Sequence, residues 1–477
     1  MAVVRNNFFI LSLIISFLLS MVTNWYGEIS IFLFIVTVLA ILDKLGKGLV
    51  LRELVVLHTI FICLVIPELG YSVYNYSNYL ARIFMRYMLV SEDTYFNYAL
   101  PAVCVFSVAL CYPVRKKRVI LDEGQNFKNM LADVRGQLKV KAKTGVNIVA
   151  IGIVVFFIMD LLPESFRFIA TLFFFSSFAG ILYIYYSPYF PSKKTMLILF
   201  SAFMVGSAIQ SGVFTIVVYM GITMFSFLFL GRKYALWKKF LVFIVGIFFL
   251  FVIQNVKMTY RDITWKNQNV DNKTNLFGDI IVEKLENFDR LIGEDGFFPV
   301  YMRTNQGYNI SMVMNRIPAK QDFDNGDRLL TIVASAFVPR FLWPTKPEAG
   351  GKDTMKYFAG VNIYGWSTNV GPIGEAYGSF GVAGGVIYMF VLGLFVRWVY
   401  KRVFVIAQKL PLLILWIPVL FYQVTYSMET DSLQILNSLL KGAFFLWLIH
   451  KFLPGWFGLM KKQSRSQKLY PGENVTA

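Results

Sequence analysis

The chain has 477 residues, of which 57% are hydrophobic, 17% aromatic and only 16% charged, with a formal charge of +18. A soluble domain carries about a quarter charged residues, so this composition excludes an ordinary soluble surface. Continuous apolar runs of roughly 17–22 residues suit a hydrocarbon core of about 30 Å and exclude the alternating pattern of a β-barrel. The sequence therefore predicts an all-α polytopic membrane protein with about 12 transmembrane helices.

The first apolar run, about 8–22, has a weak charged flank and no A-x-A-like cleavage site, so it reads as an uncleaved helix rather than a signal peptide. Spans follow at about 28–42, 52–71 and 95–113. The basic "DKLGKGLVLRE" separates the second from the third, and the longer 72–94 precedes the fourth. Arg82 and Arg86 stand four apart within 72–94, which predicts one face of an interfacial helix turned to lipid headgroups. Next comes the basic loop 115–143, where "FKNMLADVRGQL" predicts an amphipathic helix lying flat on the membrane surface.

Five more spans follow at about 145–162, 167–186, 195–209, 213–230 and 240–256, joined in part by the basic "PSKK" and "GRKYALWKK". The segment 257–375 is a large extracytoplasmic loop, with 14 basic and 13 acidic residues over 257–371. Helices are expected inside it at about 276–292 and 328–337. A loop of this length in a compact protein is usually functional. Spans at about 376–397, 408–426 and 433–452 complete the set before the basic tail 453–477.

The chain thus divides into an N-terminal bundle (1–256), the loop (257–375), the C-terminal helices (376–452) and the tail (453–477). Six basic segments all fall on one side of the spans, so both termini are expected in the cytoplasm and 257–375 outside. The +18 charge is then a topology signal and an attraction for anionic membrane lipids, not a footprint for nucleic acid.

Cys63, Cys104 and Cys111 lie in or beside apolar runs and supply no disulfide framework, while His58 and His450 are too far apart in sequence to suggest zinc. "DFDNGD" at 322–327 lacks the spacing of a calcium loop and reads as a turn. Gly374, Gly378, Gly381 and Gly385 recur at spacings of three and four, which predicts one close-packing seam along a helix. Asp160, Glu164, Gln210, Gln254, Asn255 and Gln423 near outer span ends are candidates to line a cavity.

The loop also concentrates cations. Arg261, Arg303, Arg316, Arg340 and Lys346 are candidates for binding an anion, because guanidinium groups offer several donors in fixed geometry. Pro339, Pro344 and Pro347 restrict the backbone around Arg340 and Lys346, and Trp343 suits a membrane interface or a sugar face.

Three strings carry a resemblance: R-x-N at Arg303–Asn305, P-R-F-L-W-P-x-K-P at 339–347, and G-E-A-Y-G-S-F-G-x-x-G-G at 374–385. The chain resembles the Wzy-type O-antigen polymerase family, sharply over the long loop and the following span and elsewhere through topology alone. The resemblance implies a fold similar to the membrane-embedded class C glycosyltransferases. It also implies a bacterial inner-membrane enzyme whose active site faces the periplasm. Such an enzyme moves a growing glycan from undecaprenyl diphosphate to an incoming undecaprenyl-diphosphate-linked repeat unit, with no metal or other cofactor.

Besides the lipid-linked donor and acceptor, a chain-length regulator protein is an implied partner. An O-antigen ligase of the same fold and a non-enzymatic flippase of lipid-linked glycans remain the alternatives.

On this reading a lipid diphosphate leaves, so cations must meet its developing charge. Arg340, Lys346, Arg303 and Arg261 are the candidates, with Arg316, Asn305 and Trp343 as further substrate contacts. Glu375 is the first candidate for the base that accepts the acceptor hydroxyl proton, followed by Glu429, Asp431 and Asp295. Arg340→Ala is expected to abolish the ladder of polymerised surface glycan; an intact ladder removes Arg340 from the anion-binding set.

Overall fold

The computed structural model describes residues 2–116, 119–232, 234–266, 272–338, 342–364 and 368–458. Arg340 and most of the basic tail lie outside the described residues. Among the described residues ten helices are long and apolar enough to cross a membrane, and the expected spans at 8–22 and 213–230 fall on two shorter apolar helices, Asn7–Ser20 and Thr215–Phe229. The molecule is thus an all-α polytopic membrane protein.

In chain order the helices are α1 (Ala2–Ser20), α2 (Tyr26–Lys44), α3 (Leu51–Ser72), α4 (Tyr79–Ile83), α5 (Glu92–Cys111) and α6 (Gly124–Ile158). They continue with α7 (Glu164–Tyr186), α8 (Lys193–Ser211), α9 (Thr215–Phe229) and α10 (Leu236–Lys266). The long loop folds into α11 (Lys273–Glu286), α12 (Phe288–Ile292), α13 (Glu294–Thr304), α14 (Gln306–Arg316) and α15 (Asp327–Phe337). Last come α16 (Gly371–Ala407), the irregular α17 (Pro411–Glu429) and α18 (Ser432–Phe452). A two-residue hairpin, Arg115–Lys116 with Val119–Ile120, is the only sheet among the described residues.

Three spans are interrupted. α3 carries a π-helical stretch, Phe61–Val65. α17 begins and ends in 3-10 turns on either side of a single α-turn, with Pro411 and Pro418 each denying the ladder an N–H. α16 breaks at Gly381, whose φ of 67° and ψ of −159° suit glycine alone. The expected single glycine seam therefore splits. Gly374 approaches Val313 of α14 and Gly378 approaches Phe358, whereas Gly385 packs on Tyr98 of α5.

Other local expectations also shift. The amphipathic stretch 127–138 does form a helix, but its apolar side (Phe127, Met130, Leu131, Val134, Leu138) is buried in the protein core, with Phe127 facing Phe404. It continues through a bend at Lys141 into the fifth apolar run, so protein rather than lipid covers its face. The predicted helix 276–292 divides at Asn287, whose side chain donates to the Glu283 carbonyl and competes with the helical ladder. α4 ends at Ile83, so Arg86 leaves the face of Arg82 and lies 4.7 Å from the Tyr308 ring centre. "DFDNGD" is a turn: Asp324 accepts from the backbone of Gly326 and Arg328 and starts α15.

Basic connections meet at one end of the bundle, here the basic end, where Lys239 donates to Leu45, Lys116 to Gln408 and Lys141 to Gly455; the end that carries the folded loop is here the loop end. A buried ion network locks the basic end. Asp122 accepts from Arg52 Nη2 at 2.7 Å and from Lys44 Nζ at 3.2 Å, and Lys44 also reaches Glu53 at 2.8 Å. Arg52 Nη1 donates to the carbonyls of Leu110 and Tyr112, tying α3 to the end of α5. Burial opposes the Asp122 charge, yet Lys44 and Arg52 outweigh it and hold the carboxyl down to about 2.

A carboxyl depressed below its ordinary 3.8 contributes stability above that value and loses it as pH falls through about 2. Asp122→Asn leaves Lys44 and Arg52 without their shared anion, and breaking such a buried pair costs about 3–5 kcal/mol. Thermal unfolding in detergent should show a lower midpoint for Asp122→Asn at pH 7 and a gap that closes toward pH 2. An unchanged midpoint at pH 7 refutes the role.

Candidate functional site

Near the loop end, four elements converge on one carboxylate. Glu429 ends α17, where the 3-10 turn delivers its side chain inward, and only 11% of that side chain is exposed. Its Oε1 pairs with His58 Nε2 of α3 at 3.1 Å and accepts from the Tyr219 hydroxyl of α9 at 2.6 Å. Its Oε2 accepts from Arg303 Nη2 of α13 at 2.8 Å. Tyr219 is fixed in turn by stacking on Tyr426 and by the edge of the His58 ring. His58 lies one turn before the π-helical stretch of α3, a distortion that often marks functional positions.

From α10 come two more cations. Lys257 is 8% exposed, and among the described residues it makes no hydrogen bond or ion pair. It lies within electrostatic reach of Arg261, Arg303 and Glu429. Arg261 donates to the Gly212 carbonyl at 2.7 Å, which orients it on the turn between α8 and α9. Arg303 keeps 43% of its side chain exposed despite its ion pair, and the nearby carboxylate raises its guanidinium further above its ordinary value. Arg303, Glu429 and His58 thus meet where solvent reaches Arg303, with Lys257 and Arg261 within electrostatic reach, an arrangement able to bind an anion and to orient a proton acceptor.

A second locus lies on the loop. Arg316, Gln321, Arg328, Trp343, Lys356 and Tyr357 help to line a cavity of about 670 Å³. Arg316 donates to Gln321, Arg328 lies over the Tyr357 ring at 5.3 Å, and Asp353 is 4.0 Å from Arg328. Gly360 admits the Arg316 guanidinium: its φ is 72°, and a Cβ there would overlap the arginine.

Of the residues singled out in the sequence, Arg261, Arg303 and Glu429 therefore come together, while Arg316 and Trp343 share the second cavity. Lys346 donates to the Ser335 and Val338 carbonyls at 2.8 and 2.6 Å, closing the end of α15. Asn305 caps α14 by accepting from Tyr308 N at 3.0 Å.

Glu375 is fully buried. Its Oε2 accepts from Ser432 N at 3.0 Å, so it orders the start of α18. Asp431 does related work: it caps α18 through Gln434 N and accepts from Gly350, Gly351 and Asn369. Asp295 lies in a smaller cavity with Arg290. Among the described residues no group of three or more His, Cys, Asp or Glu side chains could hold a metal ion.

Sequence reasoning missed Lys257, His58 and Tyr219. The signal for the first two was present, since an ionisable residue inside or just ending an apolar run is expensive unless used.

Fold and site together define a polytopic helical membrane protein with an ion-paired cationic cluster near one end of its bundle. Residues 7–453 match the family described as "Domain of unknown function (DUF8712)", and the chain belongs to that family. No curated protein and no solved structure matches it.

Removing a hydrogen bond to a charged acceptor costs about 1.5–3 kcal/mol. Tyr219→Phe should therefore lower stability by that amount in detergent denaturation titrations, and combining it with Glu429→Gln should cost less than the two changes added separately. Strict additivity would show that Tyr219 and Glu429 do not interact.

Proposed function

We propose that this protein polymerises lipid-linked oligosaccharide repeat units on the extracytoplasmic face of a bacterial inner membrane, transferring the growing glycan from undecaprenyl diphosphate to the next carrier-linked unit. The observation that carries this reading is the buried Lys257, without a partner among the described residues and within electrostatic reach of Arg261 and Arg303, at the loop end of a membrane helix. The positive-inside rule puts the basic end in the cytoplasm and this cluster outside. An anion bound there sits in a partly dry setting, where each cation is worth more than in water.

In this reaction the acceptor hydroxyl oxygen attacks the anomeric carbon of the donor glycan. The bond from that carbon to the diphosphate oxygen breaks, and the electron pair leaves with the lipid diphosphate. Lys257, Arg261 and Arg303 stabilise that departing charge. His58 accepts the hydroxyl proton at Nδ1, and Glu429 is the positioning residue that holds the ring through Nε2. Full burial of Glu375 favours a structural duty for it over contact with the acceptor. The cavity around Arg316 and Trp343 supplies a place for the projecting glycan, with an aromatic face and cations.

The test is complementation of a deletion strain followed by separation of surface glycans by length. Wild type should restore a ladder, and Lys257→Gln, Arg303→Gln and His58→Ala should each leave mainly single repeats. Loss of one such donor costs about 10²–10³ in rate. Long carrier-linked chains that accumulate in the deletion strain would identify a ligase instead. Loss of every outward repeat unit would identify a flippase, and either result overturns the proposal.

A further inference from the structure

The lower half of α10 stands away from the bundle. Between Phe240 and Leu250, every residue except the half-buried Phe243 is exposed over about three turns, and the ring contact there among the described residues is Phe248 with Phe288 of α12 at 6.4 Å. Yet both ends of the helix are fastened. Lys239, 7% exposed, donates to the carbonyls of Leu42 and Leu45 at 2.8 and 2.7 Å, pinning the basic end to α2. At the loop end, Tyr260 donates to the Ile209 carbonyl at 2.6 Å and Arg261 to Gly212. A helix tied at two points and largely bare between them leaves a window about 16 Å tall, roughly half the hydrocarbon thickness.

The window is apolar on both sides. α10 contributes Val245, Phe248 and Phe249, all well exposed. On α2, Ile35 and Leu39 are exposed and fall at helical spacing with Leu42, where Lys239 is tied. Directly above the bare turns, α10 becomes buried and presents Lys257 with no partner among the described residues, then Arg261. One helix therefore carries, in order toward the loop end, three exposed apolar turns and then Lys257, which has no partner among the described residues.

We infer that this window receives the tail of a long-chain polyprenyl diphosphate, whose head is held by Lys257, Arg261 and Arg303. The inference rests on the proposed function and deepens it by fixing where the carrier lipid lies. Charge complementarity selects the occupant: a diphosphate brings more negative charge to three cations than an ordinary phospholipid phosphate does. An isoprenoid tail needs no hydrogen bonds from the bare helix, and lateral access from the bilayer spares it any passage through water.

The experiment is photolabelling of the full chain in nanodiscs with a benzophenone-tagged polyprenyl diphosphate, followed by peptide mapping. Labels are expected on 240–250 of α10 and on the Ile35–Leu39 stripe of α2. Excess untagged undecaprenyl diphosphate should compete at least tenfold better than undecaprenol or phosphatidylglycerol. Lys257→Gln and Arg261→Gln should reduce the competable labelling several-fold, while Val245→Trp should block it with the cation cluster intact.

Labelling spread evenly over all lipid-facing spans, or competed equally by phosphatidylglycerol, shows that bulk lipid fills the window and overturns the inference. Labelling lost on dilution to monomers shows that a second copy of the chain forms the window, and also overturns it. The readout is binding rather than glycan length. A correct window with an unchanged glycan ladder would therefore refute the polymerase alone, and a Lys257-dependent ladder without window labelling would refute the window alone.

Discussion

A carboxylate withdrawn from water must find its partners inside the protein, and Glu429 finds His58, Tyr219 and Arg303 on three different elements. That need organises the loop end. Arg303 belongs to α13, outside the membrane-spanning set, so its ion pair with Glu429 draws the folded loop down onto α3, α9 and α17. Lys257 and Arg261 lie within electrostatic reach of that cluster, and Lys257 has no partner among the described residues. The proposed chemistry and the proposed lipid position both build on that surplus of positive charge.

Regular backbone gives way beside two of these residues and once more in α16. Glu429 ends a 3-10 turn, His58 stands just before a π-helical stretch, and Gly381 breaks α16 below the buried Glu375. Within a bilayer, irregular backbone survives only where protein or a cavity satisfies its polar groups. The dense capping by Asp431 and Glu375 at the start of α18 meets that demand, and it explains why these two carboxylates serve the backbone. Arg303, which keeps part of its side chain in solvent, is one of the groups the proposed chemistry uses.

The spans were legible because hydropathy needs only local composition: each expected apolar run falls on a helix. The long loop was legible as helical, and Arg261, Arg303 and Glu429 were legible as charges at membrane ends. Their meeting was not, because Arg303 and Glu429 are 126 residues apart and no local pattern records such a contact. Glu375 drew attention through its motif, but a motif cannot say whether a carboxylate faces a cavity or a helix start. His58 looked like an apolar-run residue until α9 and α17 were set beside it. The amphipathic stretch 127–138 shows the same limit: its apolar stripe was visible, but not whether lipid or protein would cover it.

The network at the basic end sets an order for biogenesis. Lys44 meets Glu53 nine residues later, but Arg52 waits seventy residues for Asp122. A chain inserted from its N-terminus therefore delivers Arg52 long before its anion is made. With the basic end on the synthesis side, as the proposed orientation has it, that guanidinium must remain hydrated there until α5 and the following hairpin have left the ribosome. The side chain that later locks α3 to α5 thus first acts as a brake, keeping the start of α3 from sliding into the membrane before its partner helix arrives.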